Sequence, residues 1–153
     1  MRDDALRSID VIEQFQRSAN ALDLADMRFD VAPSDSNSLD IEGVEISSWP
    51  DAIAYQTPRR GEIRVGEVFI RCAIGITGDA AQERRAEANR ILATIADIHA
   101  SHTLSHLGEI SPSASMVLDV LRGLVVRGPA NATRRVANIE AACRMIAARW
   151  PTI

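Results

Sequence analysis

The sequence predicts an α+β fold: an N-terminal helix, a curled antiparallel meander, a central helix packed on the sheet, a further strand or helix, and a C-terminal helix. Three observations carry this. Apolar side chains alternate along Glu62 to Ile76, the pattern of a half-buried strand. After Thr77-Gly78 they recur at helical intervals as far as Ala100. Near the end of the chain, Val136, Ile139, Cys143, Ile146 and Trp150 are spaced 3, 4, 3, 4 before Pro151. At 153 residues the chain is expected to form one domain over 1–153. A chain of that size removes about 68–70% of its unfolded surface from water.

Residues 4–24 read as the first helix, with Ala5, Ile9, Ile12, Phe15, Ala19 and Leu22 on one side. Ala32 to Ser38 is a cluster of turn formers with little to bury. Leu39 and Ile41 start a strand whose apolar parity changes at Gly43, giving Val44 and Ile46. The same change occurs at Gly66, between Val65 and Val68. Both glycines therefore read as bulges in a curled sheet. Ile53 and Tyr55 belong to another strand, joined to the central one by the turn Thr57 to Gly61.

Asp79, with Gln82 three residues on, has the reciprocal capping pattern of a helix start. Along that helix Ala81, Ala88, Ile91, Leu92, Ile95 and Ile98 form the apolar stripe expected to meet the sheet, and Glu87 is placed to pair with Arg90. Met116 to Val126 fits a buried strand and also a short helix. Gly123 and the β-branched valines favour the strand. A last helix, capped by Asn131 or Thr133, runs to Trp150, and its seam is expected to pack on the protein's own sheet.

Formal net charge is −4, which lacks the electrostatic footprint of a nucleic-acid binder. All seventeen basic residues are arginine. No apolar run approaches the roughly 18 residues a membrane helix needs, and Met1-Arg2-Asp3-Asp4 does not open a signal peptide, so a cytoplasmic location is expected. Cys72 and Cys143 sit at apolar positions and read as reduced core residues.

Chemistry has little to rest on. His99, His102 and His106 share a helical face if the central helix continues, but no second ligand-rich segment accompanies them, and no metal or other cofactor is assigned. Carboxylates are scattered over solvated faces, with Asp97 the one beside the histidines. There is no nucleophile elbow and no phosphate-cradling loop. The pairs Arg59-Arg60, Arg84-Arg85 and Arg134-Arg135 read as solvated. A non-catalytic protein is expected.

Several segments carry a resemblance: the opening helix with Ile12 and Phe15, the strand Val68 to Ile74, the helix Ala88 to Ile98, the run Met116 to Leu121, and the closing helix Val136 to Trp150. In this order they resemble the class I type III secretion chaperones and the related YbjN-like proteins. The loop Ala32 to Ser38 departs from that pattern, and a helix at 116–126 would depart further. The resemblance implies a homodimer that holds an extended segment of a partner protein, such as a secretion signal, over apolar patches without nucleotide or catalysis. Ile12 and Phe15 on the first helix, and Phe69 and Ala73 on the mixed face of the central strand, are the implied contacts. A second reading is a phage tail-terminator or neck subunit, in which Arg59-Arg60 and the loop at 32–38 reach neighbouring subunits of a ring.

Overall fold

The computed structural model describes residues 9–13, 16, 24–33, 38–72 and 78–150. Residues 9–13 and 16 are helical and constitute α1. The rest of the helix expected over 4–24 lies outside the described residues. Eight strands follow: β1 (Met27–Val31), β2 (Ser38–Ile41), β3 (Val44–Ser47), β4 (Ala52–Gln56), β5 (Arg64–Arg71), β6 (Glu109–Ile110), β7 (Met116–Asp119) and β8 (Leu124–Arg127). Helix α2 (Asp79–Thr103) lies between β5 and β6, and α3 (Thr133–Arg149) follows β8.

The fold is α+β, with a helix at each end and a mixed six-stranded sheet ordered β1-β4-β5-β7-β8, in which β6 pairs with β5. An antiparallel meander is present, but as the run β1-β4-β5: its last two strands are the expected ones, whereas its first is Met27–Val31 and not the expected strand at 39–46. A separate two-stranded hairpin, β2–β3, is inserted between its first two strands. From β5 the chain crosses through α2 and returns as β6 and β7, both parallel to β5. Segment 116–126 resolves as a strand, a 3-10 turn (Val120–Arg122) and an antiparallel return strand. All four residues of β7 are buried. An interior strand beside a parallel neighbour shows no polar alternation, which is why periodicity alone left that run ambiguous.

Neither glycine expected to form a bulge does so. Glu42 and Gly43 are the two central residues of the β2–β3 turn, with φ of 53° and 78°. A type I′ hairpin turn needs positive φ at both. At Gly66 the β4–β5 ladder runs without interruption, Ala54 facing Gly66 and Ile53 facing Glu67. The apolar parity changes because Val65, Gly66, Glu67 and Val68 are all buried, so both faces of β5 are covered there. Outside that stretch Ile63, Ile70 and Cys72 are exposed, contrary to the expected single buried face. Gly66 instead allows contact: a Cβ there would lie 2.3 Å from the backbone of Ala114 and Ser115.

The two faces of the sheet support separate cores. Val68 joins Leu24, Ala54, Met116 and Leu118 on one face, while Val65 and Ile53 meet Ala100 and Leu104 on the α2 face. Full burial of each such aliphatic side chain contributes roughly 1.5–3 kcal/mol. A third cluster lies on the outer side of α2, where Leu39, Ile41 and Cys143 pack with Ile98 and Ile139. Sheet, α2, and hairpin with α3 thus form three layers. Gly78 precedes α2 and makes no side-chain cap, against the expected Asp79; Ala132 precedes α3, where Asn131 Oδ1 accepts a long hydrogen bond from the Thr133 N–H at 3.4 Å.

Gly66→Ala is expected to destabilise the protein by about 3 kcal/mol, the upper end of the usual cost of overpacking, because the backbone it would strike cannot rotate away. Urea denaturation of the variant against the native chain measures this.

Candidate functional site

Helix α2 does not rest on the sheet by its apolar stripe. Its buried residues are Arg85, Asn89, Ala93, Thr94, Ala96, His99 and Ala100, a face roughly a third of a turn from the expected one. What this face meets explains the rotation. Glu67 of β5 and Asp119 of β7 point at α2, and each is only 1% exposed. Buried carboxyls need partners. Asp119 receives two hydrogen bonds from the Arg85 guanidinium, at 2.7 and 2.8 Å, and a longer one from Asn89 at 3.4 Å. Arg71 of β5 donates in turn to Asn89. Glu67 Oε1 lies 2.7 Å from His99 Nδ1 and accepts from Thr103 Oγ1 at 3.1 Å.

The electrostatics follow from these partners. Desolvation pushes the Asp119 carboxyl up, but the hydrogen bonds and charge of Arg85 outweigh it, and the net shift is downward. Glu67 goes the other way, because desolvation exceeds what His99 and Thr103 return. Asp97 is also raised by desolvation, against a hydrogen bond from Ser115. The expectation that carboxylates occupy solvated faces therefore fails at Glu67 and Asp119. Of the arginine pairs, Arg85 is buried and ion-paired, while Arg59, Arg60 and Arg134 are exposed.

Turning polar residues inward leaves the apolar stripe of α2 facing α3. Ile98 is covered by the hairpin layer, but Ile91 is exposed, and it lines a groove of about 620 Å³ with Ile95, Ile139, Ala142 and Cys143. Arg134 and Arg135 stand along this groove, Arg135 beside Glu87 at 3.8 Å. The expected i,i+3 pair of Glu87 with Arg90 forms at 3.0 Å. The α3 seam divides. Ile139 and Cys143 pack inward, whereas Met145 is 58%, Ile146 50% and Trp150 82% exposed, forming an apolar patch with Arg149 at its rim. Expected on the protein's own sheet, the seam instead packs by one half on the β2–β3 hairpin and α2, and its other half faces solvent.

The residues singled out from the sequence are dispersed. Ile12 is exposed on α1; Phe69 is half-buried between Glu67 and Arg71, on the sheet face that α2 covers. Phe15 and Ala73 lie outside the described residues. The histidines do not converge: His99 is buried against Glu67, whereas His102 and His106 are exposed and line different cavities. Among the described residues no group of three or more histidines, cysteines and carboxylates could hold a metal ion. Cys143 is buried and Cys72 exposed, both as free thiols. No helix among the described residues is long and apolar enough to cross a membrane. The groove is not legible in the sequence, because helical spacing places Ile91 and Ile95 on the stripe expected to meet the sheet.

Comparison with protein-family models, with curated proteins and with solved structures gives no match to this chain.

The two buried carboxyls make opposite contributions to the pH dependence of stability. Asp119, lowered on folding, stabilises above its unfolded value of about 3.9 and loses that contribution as pH falls through its lower folded value. Glu67, raised on folding, contributes fully below about 4.3, and the contribution is lost as pH rises through its folded value. Asp119→Asn is expected to cost ~3–5 kcal/mol at pH 7, with the deficit narrowing below about pH 4. For Glu67→Gln the native chain should gain relative stability as pH falls from 7 to 4. Urea titrations across that range check both signs.

Proposed function

We propose that this chain is a non-catalytic, chaperone-like protein-binding module that holds an apolar segment of a partner protein bracketed by acidic residues. One observation carries the reading: apolar side chains from α2 and α3, Ile91, Ile95, Met145, Ile146 and Trp150, form a groove and a patch that nothing among the described residues covers. Exposed apolar surface of this kind, rimmed by charge, marks a binding face. A groove between helices takes an amphipathic segment by its apolar anchors.

Charge selects the occupant. Arg134 and Arg149, at the groove and at the patch, make no ion pair among the described residues, and α3 carries Arg134, Arg135, Arg144 and Arg149 against one acid, Glu140. A second copy docked α3 to α3 would set these guanidinium groups against each other. An acidic partner would satisfy them. The resemblance to the secretion chaperones rests on the order helix, meander, helix, further strand and helix, and the order of β4, β5, α2, β7 and α3 supports the same kind of role.

The test is calorimetric titration with an amphipathic peptide of about 20 residues that presents leucines at helical spacing between glutamates. Saturable binding is expected, weakened at least about tenfold by Ile91→Glu or Ile146→Glu, with stability changed by no more than about 0.5 kcal/mol because both sites are solvent-facing. A matching lysine peptide should not bind. Light scattering that showed Ile146→Glu dissolving a stable dimer would assign the face to a second copy and overturn the reading.

A further inference from the structure

A second cavity, of about 240 Å³, opens on the other side of the Glu67–His99 pair, between the end of α2 and the segment joining β3 to β4. Its walls are mainly apolar: Pro33, Trp49, Pro50, Ile53, Leu104 and Leu107. Five polar side chains also line it, Ser48, Glu67, His99, Thr103 and His106, and two of them are incomplete. Ser48 is 6% exposed and its Oγ has no hydrogen-bond partner among the described residues; Glu67 Oε2 is likewise buried and unpartnered among them, while Oε1 holds both His99 and Thr103. A buried polar atom left unsatisfied costs about 1–3 kcal/mol, and more on a charged group. Two such atoms in one cavity are a strong departure from the ordinary rule that buried polar groups are paired.

A water bridging the two orphan oxygens would leave the apolar walls of Pro50, Ile53, Leu104 and Leu107 without contact. An amphiphilic molecule suits the site better. Glu67 Oε2 asks for a donor, which an N–H group supplies and a carboxylate does not. Trp49, 60% exposed at the mouth, offers an indole face of the kind that attracts cations. Size sets the body: a cavity of about 150 Å³ holds a benzene ring, so this one holds a ring with a short arm. We propose that the cavity is a binding site for a small organic ammonium ion, its N–H groups reaching Glu67 Oε2 and Ser48 Oγ and its apolar body lying against Ile53, Leu104 and Trp49.

Benzylamine, protonated at pH 7, is the probe, with benzoate and benzyl alcohol as controls of the same shape. In amide and indole NMR spectra of the full chain, benzylamine should produce saturable shifts at Ser48, Trp49, Glu67 and Leu107. It should bind at least about tenfold tighter than benzoate, the scale of one hydrogen bond to a charged group. Glu67→Gln should abolish the preference of the amine over the alcohol, and Ser48→Ala should weaken amine binding several-fold. Should Glu67→Gln fail to fold, Ser48→Ala removes a single oxygen and reads the same site. Absence of saturable shifts at these residues, equal binding of benzoate, shifts confined to Ile91 and Trp150, or amine affinity unchanged in Ser48→Ala would each overturn the proposal.

Discussion

The ion pair between Arg85 and Asp119 is the constraint from which much of this structure follows. Both side chains are buried, and their two hydrogen bonds require the guanidinium plane of α2 to meet the carboxyl of β7 squarely. Removing either partner would strand a charge in the interior, so the helix has little freedom to rotate about its axis. Asn89 and Arg71 extend this lock along the sheet, and His99 with Glu67 repeats it nearer the C-terminal end of α2. With its orientation held at two points by polar contacts, α2 lends only alanines and a threonine to the intervening packing.

That arrangement has a consequence on the far side of the helix. The larger apolar residues of α2, unable to reach the sheet, require an outer layer. The β2–β3 hairpin and the first half of α3 supply it around Ile98 and Cys143. Coverage stops short of Ile91, and the second half of α3 carries its own apolar residues into solvent. Surface ion pairs from Arg135 to Glu87 and Arg144 to Glu42 tether this layer, but exposed pairs contribute little to stability. The outer layer is therefore where the protein has binding energy still unused.

Gly66 plays the corresponding part within the sheet. Its missing side chain lets the backbone of Ala114 and Ser115 come against β5, between the short pairing with β6 and the longer pairing with β7. The next residue is Glu67, which alternation directs toward α2 and into the cavity beside Trp49. One glycine and one carboxylate, adjacent in sequence, thus admit the backbone of Ala114 and Ser115 against β5 and supply a polar group to a cavity on the α2 face.

The fold class and the positions of β4, β5, α2 and α3 follow from the sequence, because period-two and helical apolar patterns are local properties of the chain, whereas β1, β6 and the separation of the β2–β3 hairpin do not. The sequence also contained the Glu87–Arg90 pair and the turn residues of the hairpins. What it could not determine was which face of α2 is inside. Periodicity places Ile91, Ile95 and Ile98 on a common stripe, but whether that stripe or the polar one meets the sheet depends on Glu67 and Asp119, thirty or so residues away from their partners. The same limit hid Gly66, whose parity change looks like a bulge until the backbone it accommodates is known. Pairing of buried charges and close backbone contact are long-range events, and only the tertiary structure brings their two halves together.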